Sequence, residues 1–342
     1  MSDIRLHDER HDDEAGVPGF AELAVVRRSG LVESRHFGSL IAIDAAGSTV
    51  LELGQPDATI LPRSTTKPIQ ALACLRAGAP LEGPELAIAA GSHTGEDEHV
   101  RVVRAILARA GLDEGALGCP ADWPEDEPTR EHMIRAGSGR ERIRMNCSGK
   151  HAAMLLASVV NGWSTADYLD PEHPLQRQVR EVLAQVTDLE VRHTAIDGCG
   201  APLFGTTVRG LATGFRRMVL ASPAEPAHAV VAAMREHPFY VGGSRSDNTD
   251  LMRLVPGALA KGGAEGVIGV CAADGAAVAM KIVDGSPRAT TLIALLVLQW
   301  LGADITAAME LATVPVLGGG FRVGELALGS GLGQAMDSER PL

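Results

Sequence analysis

Apolar residues recur along this chain in two rhythms. Alternation near period two marks AELAVVRR, GSLIAIDAAG and TVLELG, between residues 21 and 54, as successive strands. The AAGS between the last two is a hairpin turn. From Lys67 onward the pattern turns helical. Three long helices are predicted: Lys67–Ala77, with Pro68 tolerated in its first turn; Glu96–Ala110, with charges on one face; and Ser148–Asn161, opening on SGK and closing on Asn-Gly. Shorter helices are expected at Leu175–Thr187, Gly205–Ala212, Pro226–Glu236 and Asn248–Val255. EGVIGVCAA and AAVAMKIVDG then read as a second hairpin around Asp274–Gly275, followed by a helix over Arg288–Leu301.

Strands towards both ends with helices between them predict an α+β fold. Its layers are α/β/α, around a mainly antiparallel sheet that both ends of the chain help to build. No internal repeat and no Pro- or Ser-rich linker divides the chain. The expected organisation is one domain over 19–329, its helical part roughly 64–255, with an N-terminal tail at 1–18 and a C-terminal tail at 330–342.

With 342 residues, 45% of them hydrophobic, the chain can bury a large core. Its net charge of −12 argues against nucleic acid and against an anionic membrane surface as partners, since both need a basic footprint. The polar start MSDIRLHDERHDDEAG lacks the apolar segment of a secretory signal, and the stretch Ala289–Leu301 is too short to span a bilayer. Five cysteines at irregular spacing do not form a disulfide framework. A cytoplasmic protein is expected.

Candidate chemistry emerges from lysine usage. Of 31 basic residues only Lys67, Lys150, Lys261 and Lys281 are lysines, and the first three fall in turns rich in Gly, Ser or Cys. Lysine, unlike arginine, can lose its proton and act as a base or metal ligand. Ser64 and Lys67 are three residues apart, so on a helix they share a face where an amine can activate a hydroxyl. Read alone, the pair is as readily a helix cap beside a solvent-facing lysine. Ser92-His93-Thr94-Gly95 is a hydroxyl-bearing turn after an apolar run, though Thr94 and Asp97 also fit a capping box. Asn146-Cys147-Ser148-Gly149-Lys150, with Asp197-Gly198-Cys199-Gly200, offers two thiols and an amine. That is a thiolate metal site with an unusual third ligand, or a nucleophilic thiol. Lys261-Gly262-Gly263 allows close approach of a ligand at a strand end. Lys281 carries no assigned role.

In order, VESRHFGSLIAIDAAG, LPRSTTKPIQAL, AAGSHTGEDEHV, RMNCSGKHAAML, AIDGCGAPLFGTTVRGLA and ALAKGGAEGV resemble the bacterial thermolabile, rhizobial inducible-type L-asparaginases. The resemblance runs from about Ala21 to past Glu325 and implies a fold similar to serine β-lactamases and glutaminases, as a homodimer. It implies Ser64 as nucleophile with Lys67 as its base, and Ser92 with Lys261 as a second pair. It assigns Cys147, Lys150 and Cys199 as zinc ligands, and Arg63 and Asp197 to the substrate pocket. His93, Asn146 and Gly198, beside these positions, join the expected substrate-binding set. The implied reaction is hydrolysis of L-asparagine to L-aspartate and ammonia, with zinc shaping the pocket. Alternatives are a glutaminase or a β-lactam or peptide amidase on the same scaffold, and a zinc-dependent hydrolase.

Overall fold

A computed structural model describes residues 17–339. The expected N-terminal tail therefore lies outside the described residues, apart from its last two. The chain enters through three antiparallel strands, β1 (Ala21–Arg28), β2 (Leu31–Ile43) and β3 (Thr49–Leu53). A helical body follows: α1 (Lys67–Arg76), α2 (Gly83–Ala89), α3 (Asp97–Arg109), α4 (Glu127–Arg135), α5 (Ser148–Val160) and α6 (Pro174–Thr187). A small hairpin, β4 (Thr194–Ile196) and β5 (Pro202–Phe204), precedes α7 (Val208–Val219), α8 (Pro226–Glu236), α9 (Pro238–Gly242) and α10 (Asp247–Leu254). The chain returns to the main sheet as β6 (Leu259–Gly263), β7 (Val267–Cys271) and β8 (Ala277–Ile282). After α11 (Thr290–Trp300) come β9 (Pro315–Gly318), β10 (Phe321–Leu328) and α12 (Ser330–Ser338).

The main sheet has the order β6-β7-β8-β2-β1-β10-β9, with β3 also on β2, and every pairing in it is antiparallel. Every residue of β7 and the first four of β8 are buried, so both faces of the sheet are covered there. On α7 the buried residues Val208, Leu211, Ala212, Phe215, Met218 and Val219 recur at helical spacing, and this stripe packs across β2, β7 and β8. The nearly all-apolar α11 packs across β7 and β8. The fold is thus a layered α/β arrangement around an antiparallel sheet, as the strand and helix pattern predicts.

The departures have local causes. β2 starts seven residues before the predicted GSLIAI segment, because LVESRHF carries too few apolar residues to signal a strand yet pairs with β1. β9 and β10 are half-exposed edge strands with the same weak pattern. The helix expected at Gly205–Ala212 begins later and runs to Val219, with Thr207 Oγ1 capping it by accepting from Gly210 N–H.

The C-terminal tail expected from residue 330 is a correction: Ser330–Ser338 is a helix. Leu332 is fully buried, Trp300 Nε1 donates to Met336 O at 2.9 Å, and Glu22 Oε1 accepts from both the backbone and the hydroxyl of Ser330. SGLGQAMDS has little helical propensity of its own, and these tertiary contacts supply what it lacks.

Candidate active site

Pro62 leads into a tight 3-10 turn over Arg63–Thr66, which flows directly into α1. Thr65 Oγ1 donates to Pro62 O at 2.6 Å and Thr66 Oγ1 to Arg63 O at 3.1 Å, so both threonine hydroxyls are spent on the turn. Ser64 is left half-buried, its hydroxyl without a hydrogen bond among the described residues. Pro68 sits in the first turn of α1, where no amide hydrogen is needed. Arg63 has φ of +52°, a left-handed conformation costing a non-glycine residue roughly 1 kcal/mol or more. Its ion pair to Asp197, 2.8 Å from Nε to Oδ1, holds it there.

β6 runs against this turn. A Cβ on Gly263 would stand 3.0 Å from Pro62 O and 3.1 Å from the amide nitrogens of Ser64 and Thr65. Glycine there lets the strand bring Lys261 up to the serine.

Lys67 is 1% exposed, its Nζ 2.8 Å from Ser92 Oγ and 3.2 Å from Asn146 O. It therefore lies behind Ser92, and its amine meets that serine; no hydrogen bond joins it to Ser64 among the described residues. Lys261 is fully buried, its Nζ donating to Gly262 O. Burial, reinforced by the positive charge of Lys67, pulls it down to about 7, against weaker opposite pulls from Cys147 and Glu125. Near neutral pH it can therefore hold or release a proton.

Ser64, Ser92, Asn146 and Lys261 line one cleft of about 500 Å³, together with Glu125, Arg245 and Asn248. Asn248 Oδ1 accepts from Gly262 N–H and fixes the β6 edge. A hollow of about 540 Å³ beside α7 is as large but holds no serine, lysine or cysteine, and its three arginines bond to backbone carbonyls and Gln185.

Other expected binding residues stand elsewhere. His93 is fully buried; its Nδ1 accepts from Gly95 N–H and its Nε2 meets Ser148 Oγ at 2.9 Å. Burial keeps it neutral. It holds the Ser92 turn from inside and has no free atom for a substrate. Arg63 and Asp197 bind each other and do not line the cleft, nor does the exposed Gly198. Burial raises the Asp197 carboxyl, but Lys150 and Arg63 overcome this and hold it below the usual carboxylate range.

Behind Asn146 the thiol cluster assembles. α5 begins at Ser148 and approaches α2 so closely that a Cβ on Gly149 would lie 2.7 Å from Ile88 O. That approach turns Lys150 inward, where Nζ reaches Cys199 Sγ at 3.2 Å. Cys147 keeps its proton, because its hydrogen bond to Cys199 and its burial push it up to about 12. The same bond, with Lys150 nearby, draws Cys199 down to about 5 and makes it the thiolate. Burial opposes the charge on Lys150, but Cys199, Cys147 and Asp197 prevail and keep it protonated. Among the described residues no three His, Cys, Asp or Glu side chains are grouped as a metal site, so any cation here would need Lys150 as well.

Of the three lysines that scarcity singled out, Lys261 lines the cleft, Lys67 lies behind Ser92 and Lys150 belongs to the thiol cluster. Glu125, Arg245 and Asn248 carried no such signal, since they sit in ordinary polar stretches.

No curated protein sequence matches the chain. Among solved structures it is similar to a β-lactamase from Mycobacterium bovis, with 16% identity over 77% of this chain and 94% of that one, and a TM-score of 0.43. It is also similar to EstCE1, a hydrolase with promiscuous acyltransferase activity, with 12% identity over 80% and 92% of the two chains and a TM-score of 0.38. The family model for L-asparaginase II matches residues 24–328, nearly the whole described chain, and the protein belongs to that family.

Proposed function

We propose that the protein hydrolyses the side-chain amide of L-asparagine to L-aspartate and ammonia through an acyl-enzyme on Ser64. The observation that carries this reading is the convergence of Ser64, Ser92 and Lys261 on one cleft with Lys67 bonded behind Ser92. Ser64 Oγ attacks the amide carbon and gives up its proton as the C–O bond forms. Lys261, poised near neutrality, and Lys67 acting through Ser92 are the two routes for that proton. The Thr65 and Lys67 amides are bonded to Pro62 O and Ser64 O, so the Ser64 amide is the backbone donor this reading offers to the developing oxyanion. The C–N bond breaks, ammonia takes the proton back, and water hydrolyses the β-aspartyl ester by the reverse path.

The test is ammonia release from L-asparagine and L-glutamine side by side. Fast turnover of asparagine alone supports the reading; turnover of glutamine alone makes the protein a glutaminase on the same machinery. Ser64→Ala is expected to abolish turnover, and Lys67→Arg to lower it by about 10²-fold or more, since arginine cannot exchange the proton. Normal turnover by Lys67→Arg would remove that lysine from the proton path.

Zinc belongs to this proposal. Two cysteine sulfurs and an amine close together suit a borderline-soft cation, provided Cys147 and Lys150 both lose their protons on binding. Cys147, Lys150 and Cys199 would hold it, and it would supply a fixed positive charge behind the Asn146 wall. A homodimer is the assembly that goes with this reading, and light scattering reads it.

A further inference from the structure

We propose that Arg245 and Glu125 are the specificity residues of the cleft, gripping the α-carboxylate and the α-ammonium of an amino-acid amide. This inference rests on the amidase reading above and adds the recognition of the rest of the substrate. An amino-acid amide brings a fixed anion and a fixed cation into the site, and a selective pocket needs one partner for each. Arg63 and Asp197, expected in the substrate pocket, are spent on each other.

Arg245 lines the cleft and has no hydrogen-bond or ion-pair partner among the described residues. Glu125 lines it too; Oε1 accepts from Asn146 Nδ2 at 2.6 Å, leaving Oε2 for a ligand. The other carboxylate of the lining, Asp247, accepts from the Thr291 hydroxyl through Oδ2 at 2.5 Å; Glu125 differs in being held by Asn146, whose carbonyl meets Lys67.

Both charged residues hang from the turn that carries Ser92. Glu96 accepts from the backbone and the hydroxyl of Ser244, each at 2.9 Å, and from Thr94 Oγ1 at 2.8 Å. That ties the segment bearing Arg245 to the Ser92 turn. On the other side, Asp126 N–H donates to Thr94 O at 3.0 Å, which ties down the segment bearing Glu125. Asn146 closes the circuit, since its carbonyl meets Lys67 and its amide meets Glu125. One turn thus anchors the two segments that carry the exposed Arg245 and Glu125 beside the reacting hydroxyls, which places a cation and an anion within one small cleft for a zwitterion.

The test crosses two variants with three substrates. 3-Aminopropanamide is asparagine without its carboxylate, and succinamate is asparagine without its ammonium. Arg245→Ala is expected to cut the asparagine to 3-aminopropanamide ratio of kcat/KM by about 10- to 100-fold, the worth of a charge-assisted bond. Glu125→Gln, which keeps the acceptor for Asn146, is expected to cut the asparagine to succinamate ratio by a similar factor. Thermal midpoints within a few degrees of wild type show that the variants fold. Equal losses on all three amides, or no loss, overturn the assignment while leaving the amidase reading intact. A wild type inactive on every amide overturns the amidase reading and this inference with it.

Discussion

At the scale of the residue, a chain that otherwise writes arginine buries three of its four lysines, Lys67, Lys150 and Lys261. Lys261 illustrates the cost. Its folded value lies near 7, far below that of an exposed lysine, because burial and Lys67 oppose its charge. Between about pH 7 and 10.5 the unfolded chain carries the extra proton, so stability rises with pH through that window. Below it the full penalty stands. Lys261→Met is therefore expected to stabilise the fold at pH 7 by about 2–4 kcal/mol, read by denaturant titration, while abolishing turnover. Wild-type kcat/KM is expected to fall as pH drops below about 7, where the amine takes up its proton. A profile flat from pH 6 to 8 would exclude Lys261 as a proton acceptor. The sequence showed which lysines were exceptional, but Lys67 turned out to face Ser92 because only the third dimension brings α1 beside the Asn146 turn.

At the scale of the element, the site depends on close approaches that few residues permit. Gly149→Ala would push α5 away from Ile88 O and carry Cys147 and Lys150 with it. A loss of about 1–3 kcal/mol is expected in denaturant unfolding, with turnover falling further than stability explains. Long helices were legible because Glu96–Ala110 buries one face and Ser148–Asn161 carries a long apolar run, buried without a gap from Ser148 to Ser158. β10 and α12 were not, since their stability comes from β1, Glu22 and Trp300 and not from their own residues. Cutting the chain after Gly329 is expected to lower the thermal midpoint by a few degrees, as the burial of Leu332 is lost and Glu22 keeps Arg35 but loses both Ser330 bonds.

At the scale of the molecule, the layered α/β architecture was legible from strands near both ends. The cleft was not, because its walls come from segments as far apart as Ser64, Glu125 and Arg245. Among the described residues no helix is long and apolar enough to cross a membrane. If zinc sits between Cys147, Lys150 and Cys199, adding it should raise the thermal midpoint by binding the folded state alone, and chelation should reverse this while sparing part of the activity. Complete loss of activity on chelation would favour a metal-dependent hydrolase.

The sheet also sets a timetable. Ala24 of β1 pairs with His36 on one side and with Leu328 on the other, and β2 pairs with β8 across most of the sequence. A chain emerging from the ribosome holds its first strands long before their remaining partners exist, so the sheet closes only after synthesis is nearly finished. Loop-closure entropy must then be met over long separations, which makes folding slow and leaves early strand edges open to wrong partners. Newly made protein should therefore depend on chaperones far more than the finished fold does.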